Sequence, residues 1–238
     1  MKNTEITPRK AVIDRLTIVG TSHIAKQSLK EVEETVERIK PEIIALELDK
    51  GRLIALFNEN EQKERAGVII KKIGFKGYMI AKFGEFIEKQ MGKMVGVKPG
   101  SEMKLGARLA KKTGAKIALV DQDITITMQR LSKGISWKEK WNFFIDIITG
   151  PFTAKKQMKE MKIDLSKVPD DTVIEILMEK MKERYPNLYR VLITERNQVI
   201  AKNLHKILIE NPEAKVVAIL GAGHRKEVLK IIAQKEEN

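Results

Sequence analysis

The chain has 238 residues, of which 45 are Lys or Arg and 32 are Asp or Glu, so that its formal net charge is +13. This length allows one large domain with its own hydrophobic core. Because cysteine is absent, the sequence excludes a disulfide framework, a thiolate nucleophile and Cys-ligated zinc, and an interior, reducing compartment is expected.

No segment approaches the ~20 consecutive apolar residues that span a bilayer, and the polar first ten residues lack the apolar region of a signal peptide. We therefore expect a soluble, cytoplasmic protein. The most apolar run, 141–148, is interrupted by Asn142 and Asp146, and it is interpreted as a helix that faces the core.

Four short runs rich in Ile and Val predict strands at 16–20, 42–48, 116–120 and 215–220. Apolar residues at helical spacing predict helices at 28–40, 103–113, 124–131 and 187–209. Because strand, helix and strand follow one another, the pattern predicts an α/β fold with a mixed, largely parallel central sheet. We expect a single domain over 1–238, with helical excursions at about 57–112 and 134–186.

The basic charge is concentrated in 66–112, which contains eleven Lys or Arg and only three acidic residues, Glu85, Glu88 and Glu102. Such a region suits an anionic membrane surface or an acidic peptide, and a solvated lysine-rich surface is the ordinary alternative. Nucleic-acid binding is not expected, since the region lacks aromatic interleaving or a known motif.

A short motif occurs twice, as Gly20-Thr21-Ser22-His23 and as Gly221-Ala222-Gly223-His224. Each copy follows a predicted strand, and ligands of parallel sheets bind beyond the carboxyl ends of the strands. Alone, each histidine has an ordinary structural explanation. Their matched contexts favour a shared site, with Gly20, Gly221 and Gly223 allowing tight turns beside it.

Carboxylates follow two other predicted strands. Glu47 and Asp49 close the second strand, and a spacing of two directs both side chains to one face, although Asp49 has the alternative of capping the next turn or pairing with Arg52. Asp121 and Asp123 follow the third strand, where stabilisation of a helix N-terminus is the default and a role at the crevice is the alternative.

Glu195 is predicted to interrupt an apolar stripe of the helix at 187–209, formed with Leu188, Leu192 and Val199. A carboxylate in such a stripe needs a cation, strong donors or a metal. A structural arginine, Arg52 or Arg130, is the alternative to a metal. Two imidazoles with one or two glutamates form a ligand set that suits Zn²⁺, Mn²⁺ or Co²⁺, and a metal-activated water could then attack a carbonyl.

Six short motifs follow one another along the chain, namely Gly-Thr-Ser-His at 20–23, Glu-Leu-Asp-Lys-Gly-Arg at 47–52, Gly-Ser-Glu-Met at 100–103, Asp-Gln-Asp-Ile at 121–124, Glu-Arg-Asn at 195–197 and Gly-Ala-Gly-His at 221–224. In this order and spacing they resemble the TraB/PrgY family, whose founding members are linked to pheromone shutdown in bacterial conjugation. The family is similar to the TIKI metalloproteases and, more widely, to the erythromycin esterases and ChaN lipoproteins.

The resemblance implies a mixed α/β fold of two related halves and divalent-metal-dependent proteolysis. It assigns metal or catalytic roles to four residues and supporting roles to two arginines, namely His23, Glu47, Glu195 and His224, with Arg52 and Arg130. Two positions depart from the family pattern, since Gln122 and Asn197 stand where the family often has Arg and Asp.

These observations favour a metal-dependent hydrolase that acts on peptides. The alternatives are a protein that sequesters a peptide or pheromone without turnover, and a metal-free, esterase-like hydrolase with a histidine as general base. The sequence leaves the oligomeric state open, with a homodimer among the options, and peripheral attachment to a membrane is open as well.

Overall fold

The computed structural model describes residues 12–21, 26–57, 70–75, 77–78, 82, 100–146, 149 and 171–236. Within these residues four strands form one sheet in the order β1-β4-β2-β3, and every pairing is parallel. The strands are β1 (Leu16–Thr21), β2 (Ile43–Leu46), β3 (Lys116–Leu119) and β4 (Val216–Gly221). All four predicted strands and the α/β fold class are confirmed.

Helices connect and flank the strands. They are α1 (Lys26–Ile39), α2 (Lys50–Phe57), α3 (Ser101–Thr113), α4 (Ile124–Gly134), α5 (137–146), α6 (Asp171–Arg184), α7 (Pro186–Tyr189), α8 (Glu195–Glu210) and α9 (Ala222–Glu236). A 3-10 turn (Val12–Arg15) precedes β1, and a π-helical turn (Arg190–Thr194) joins α7 to α8. Much of the predicted excursions, including 83–99 and 150–170, lies outside the described residues, and the single-domain boundary stays a prediction.

The central strand β4 is buried along its whole length, and its side chains alternate between two cores. Val216, Ala218 and Leu220 pack with α8 and α9 on one face, whereas Val217 and Ile219 pack with α1 and α3 on the other. Such a continuous apolar run is expected for a parallel strand covered by helices on both faces. The sheet is therefore the middle layer of three. Helices cover its two faces, and the segments that follow the strands lie at its carboxyl edge.

The interpretation of 141–148 as a core-facing helix is wrong for the part that is described. Residues 137–146 do form a helix, α5, but Trp141 is 64% exposed and Phe144 is 54% exposed. Asn142 and Asp146, the polar residues that interrupt the apolar run, both bind Arg184 of α6. Residues 147 and 148 lie outside the described part of the chain.

None of the helices in the described residues combines the length and the apolar character needed to cross a bilayer.

Candidate functional site

Three strands end side by side at the carboxyl edge of the sheet. Leu46 of β2 is in register with Leu119 of β3 and with Ile219 of β4. Glu47 follows β2 directly, and Asp121 comes two residues after β3. Both carboxylates are buried, with Glu47 4% and Asp121 8% exposed. Buried carboxylates need partners, and the structure supplies them from α2, α8 and α9.

Arg196, the second residue of α8, lies at the centre of these partners. Its Nε is 3.0 Å from Asp121 Oδ1, and its Nη2 is 2.6 Å from Asp121 Oδ2. The same Nη2 also donates to Glu47 Oε1. One guanidinium therefore joins carboxylates that follow two different strands, and it fixes the start of α8 to the sheet edge.

A second guanidinium, from Arg52 of α2, completes the cluster. Its Nη2 is 2.5 Å from Asp121 Oδ2, and its Nε is 2.7 Å from Asp49 Oδ2. Asp49 also accepts the backbone N–H of Arg52 at 2.9 Å and that of Ile124 at 3.1 Å. Both structural alternatives for Asp49, capping the next turn and pairing with Arg52, are thus present in the fold.

The contacts in the cluster favour the charged forms of Arg196, Arg52 and Asp49. Burial alone would lower the pKa of Arg196, but the adjacent carboxylates of Glu47 and Asp121 outweigh it and raise that pKa. The pKa of Arg52 is raised in the same way, mainly by Asp121. Burial opposes ionisation of Asp49, yet hydrogen bonds from Arg52 and Ile124 hold its pKa below the ordinary value.

His224 lies against this cluster from the first turn of α9. It is 4% exposed, and its Nε2 is 3.3 Å from Glu47 Oε1. Its Nδ1 is 2.6 Å from the side-chain oxygen of Asn197, which is 1% exposed. The other oxygen of Glu47 accepts the backbone N–H of Gly221 at 2.5 Å. Two predicted site residues, Glu47 and His224, are therefore neighbours.

The sequence predicts that Glu195 interrupts an apolar stripe, and the π-helical turn explains why it lies beside that stripe instead. An extra residue in one turn rotates the following helix relative to a continuous α-helix. The buried stripe of α8 consequently runs through Asn197, Ile200, Ala201, Leu204 and Leu208. Glu195 falls beside that stripe, and its carboxylate binds Arg130 Nη1 at 2.8 Å, with side-chain exposures of 22% and 54%. The pairing with Arg130 agrees with the structural alternative, whereas a catalytic or metal role for Glu195 stays a prediction.

The remaining predicted site residues divide by position. His23 lies outside the described residues. Gly20, in β1, packs closely against α9, since an added Cβ would come 3.2 Å from Arg225 Cδ. Its φ is not positive, so the glycine permits close packing and not the predicted tight turn. Asp123 caps α4 by accepting the N–H of Thr125 at 2.7 Å. Gly223 lies in the first turn of α9, facing Met178.

Two residues of the cluster, Arg196 and Asn197, were not predicted to take part. Both belong to the Glu-Arg-Asn motif, so the motif could have identified them. The helical spacing of apolar residues selected only Glu195. Gln122, the other departure from the family pattern, lies in the loop before α4 and donates to Oγ1 of Thr127, a residue of that helix, at 2.9 Å.

Across the described residues, no group of three His, Asp or Glu side chains has the arrangement of a metal site. Glu47 and His224 are the members of the predicted ligand set that the described residues bring together.

The fold and this cluster define an α/β protein with buried, paired charges at the carboxyl edge of a parallel sheet. The sequence profile of the TraB/PrgY/gumN family matches residues 9–238. The chain belongs to this family, which confirms the resemblance found from its motifs.

Relatives extend from archaea to mammals. An uncharacterized protein of Methanocaldococcus jannaschii is 32% identical over 219 residues, which is 92% of this chain and 53% of that protein. A TraB domain-containing protein of Mus musculus is 23% identical over 239 residues, covering 88% of this chain and 60% of the mouse protein. The human TraB domain-containing protein is 22% identical over 241 residues. The chain therefore spans between 53% and 60% of the length of these relatives.

Proposed function

We propose that this protein is a metal-dependent hydrolase that acts on peptides, with Glu47 and His224 at its centre. The observation that carries the proposal is the pair of hydrogen-bonding partners around His224. Because Nδ1 faces the side-chain oxygen of Asn197 at 2.6 Å, Nδ1 carries the proton, and in the neutral ring Nε2 is then an acceptor. This acceptor faces Glu47 Oε1, which is also an acceptor, at 3.3 Å.

Two acceptors at that separation repel each other unless a positive species lies between them. The species is either a proton on Nε2 or a cation bound to both atoms. Donor atoms that share a tetrahedral ion at bond lengths of ~2.0–2.1 Å lie roughly 3.3 Å apart. The separation of Glu47 Oε1 from His224 Nε2 therefore fits two ligands of one divalent transition metal, Zn²⁺, Mn²⁺ or Co²⁺.

The residues around the pair have the roles that such a site needs. Asn197 orients the ring of His224, as outer-shell acceptors do for metal-binding histidines. Arg196 and the N–H of Gly221 donate to the two oxygens of Glu47 and fix the direction of its carboxylate. In this proposal His23 is the further ligand, and the likeness to metalloproteases supplies the substrate class.

A divalent ion held there would supply Lewis-acid activation for the attack of water on a scissile carbonyl. Peptide hydrolysis also requires a group that accepts a proton from the water and returns one to the leaving amine. Both oxygens of Glu47 are already engaged, Oε1 by Arg196 and Oε2 by the N–H of Gly221, so we assign Glu47 to holding the ion and this transfer to a separate group.

The test is a titration of metal-free protein with Zn²⁺, Mn²⁺ and Co²⁺ by calorimetry, combined with mass spectrometry of a peptide mixture incubated with the protein. We expect about one ion per chain and cleaved peptides. His224→Gln and Glu47→Gln should weaken metal binding by at least roughly tenfold and abolish cleavage. His205→Gln, which changes the histidine of α8, is the matched control and should alter neither property. Glu195→Gln tests whether Glu195 is a ligand, and its contact with Arg130 leads us to expect little change.

Wild-type metal binding by the folded His224→Gln variant would contradict the proposed centre. If peptides were captured tightly but never cleaved, with or without metal, a sequestering protein would replace the hydrolase.

A metal-free hydrolase is the second candidate, and the Asn197 contact also favours it. A histidine held at Nδ1 by an acceptor presents Nε2 as a general base, which is the arrangement that activates a nucleophile or water. Cleavage that persists unchanged in excess chelator would select this candidate over the first.

A further inference from the structure

Helix α5 has its polar and apolar faces reversed relative to an ordinary surface helix. The residues that face the protein are Glu139, Asn142 and Asp146, at positions i, i+3 and i+7. Asn142 donates to the carbonyl of Arg184 at 3.1 Å, and Asp146 accepts from Arg184 Nε at 2.7 Å. A helix normally turns its apolar stripe toward the core. In α5, hydrogen bonds and an ion pair of the polar face hold the helix against α6 instead.

Glu139 is the strongest of these attachments. It is 2% exposed, and it accepts the N–H and the hydroxyl of Ser136, each at 2.8 Å, as the glutamate of a capping box at the start of α5. It also accepts the N–H groups of Asn187 at 2.7 Å and Leu188 at 3.1 Å, at the start of α7. One carboxylate thus satisfies the first turns of two helices, which fixes the orientation of α5.

The opposite face of α5 consists of aromatic residues that are open to solvent. Trp137, Trp141 and Phe144 follow at i, i+4 and i+7, and they are 84%, 64% and 54% exposed. The rings of Trp141 and Phe144 are stacked, with centroids 5.8 Å apart. These three residues are called the aromatic face below. Adjacent exposed aromatic rings, unlike single exposed apolar residues, indicate an interaction surface.

The charge that α5 itself places beside the aromatic face is positive. Both acidic residues of α5 are engaged on the inner side, Glu139 by the two helix starts and Asp146 by Arg184 and Tyr185. The two lysines of α5, Lys138 and Lys140, are exposed, and Lys140 Nζ lies 4.6 Å from the centroid of the Trp137 ring. The face therefore presents aromatic rings together with ammonium groups.

We propose that the aromatic face of α5 docks on an anionic lipid surface, with the helix lying in the plane of the interface. Tryptophan prefers the headgroup level of a bilayer, where its ring is partly buried and its N–H stays hydrated. Lysines beside the rings can extend their ammonium groups to lipid phosphates. An acidic protein partner would satisfy the charge, but the rings and lysines on one convex helix face suit a continuous interface better than separate pockets.

The experiment uses a favourable property of the sequence, which is that the chain has only two tryptophans. Both lie on the aromatic face, so intrinsic tryptophan fluorescence reports on this surface alone. With vesicles of phosphatidylcholine and phosphatidylglycerol we expect a blue shift of the emission and protection from acrylamide quenching. Pure phosphatidylcholine vesicles should produce a much smaller change.

Co-sedimentation with the same vesicles provides the comparison of variants. Lys138→Gln combined with Lys140→Gln should weaken binding by roughly 20- to 30-fold, because each lysine near an anionic surface contributes about one factor of five. Trp137→Ser combined with Trp141→Ser should remove binding while leaving the fold intact, since both side chains are exposed. Ile209→Ser, which changes a 56% exposed apolar residue of α8, is the control and should bind as the parent does.

Three outcomes would overturn the proposal. The first is an emission maximum that does not move with anionic vesicles. The second is an equal shift with polyglutamate in the absence of lipid, which would assign the face to acidic polypeptides. The third is a shift that follows protein concentration alone and accompanies dimers in sedimentation equilibrium, which would assign the face to a second copy of the chain.

Discussion

Arg196 binds both carboxylate oxygens of Asp121, with Nε 3.0 Å from Oδ1 and Nη2 2.6 Å from Oδ2. The Asp121 side chain is fully buried and that of Arg196 is 15% exposed. Because Nη2 also reaches Glu47, this guanidinium neutralises carboxylates that follow β2 and β3. The contact therefore joins the start of α8 to the sheet edge and stabilises the cluster in which His224 lies.

Replacement of Arg196 by Met should destabilise the protein strongly. It leaves buried carboxylates without their shared cation, a change that costs about 3–5 kcal/mol of the free energy of unfolding. Arg130→Met is the matched control, since it removes an arginine from the more exposed pair with Glu195 and should cost no more than about 1 kcal/mol. Urea unfolding of both variants measures the difference, and equal losses would show that the Arg196 cluster contributes no more than a surface pair.

Replacement of Asn197 by Leu should change the tautomer of His224. Without the acceptor at 2.6 Å, the proton is no longer held on Nδ1, and the two neutral tautomers should mix. The ¹⁵N chemical shifts of the ring nitrogens measure this directly, with His205 as an internal reference in the same spectrum. A ring of His224 that keeps its proton on Nδ1 in the variant would show that Asn197 does not orient it.

The sheet and its site-bearing edge were predictable from the sequence because parallel strands are local apolar runs. The ends of these runs identified Glu47, Asp121 and the start of α9, where His224 lies. The contributions of Arg196 and Asn197 were not predictable from periodicity. The π-helical turn at Arg190–Thr194 changes the phase of α8, and a pattern that assumes one continuous helix selects Glu195 instead.

Helix α5 shows a second limit of the pattern. Hydrophobic periodicity correctly predicts a helix there, but it assigns the aromatic stripe to the core. The decisive interactions are the hydrogen bonds of Glu139 and Asp146 to residues about 40–50 positions away in the chain, as in the contacts with Asn187 and Arg184. No local sequence pattern predicts these partners, because their positions depend on how α6 and α7 pack against α5.

Glu139 should make the stability of the protein depend on acidic pH. Burial raises its pKa, but hydrogen bonds from Ser136, Asn187 and Leu188 outweigh this effect and lower the pKa from 4.5 to about 2. A carboxyl group whose pKa is lower in the folded than in the unfolded protein stabilises the fold. This stabilisation is complete when the pH is above the unfolded-state pKa, and it is lost as the pH falls from about 4.5 toward 2.

Glu139→Gln should therefore lose about 1–3 kcal/mol at neutral pH and should show a flatter decline of stability below pH 4.5 than the parent. Urea midpoints measured across this pH range compare the two proteins. Glu175→Gln, which removes an exposed pair with Lys226, is the control and should follow the parent curve. Parallel curves for Glu139→Gln and the parent would assign the acid sensitivity to other carboxylates.

Gly106 of α3 should not tolerate even a methyl group. A Cβ at this position would lie 2.9 Å from Leu46 Cδ2 and closer still to Ile219 Cδ1, both in the core against which α3 packs. Alanine gains about 1 kcal/mol of helix propensity over glycine, whereas overpacking costs about 1–3 kcal/mol, so we expect Gly106→Ala to be destabilising. Gly223→Ala is the control, because its nearest neighbour is the flexible end of Met178 at 3.1 Å, which can move aside. Thermal unfolding should separate the two variants, and a Gly106→Ala protein as stable as Gly223→Ala would mean that α3 can shift away from the sheet at little cost.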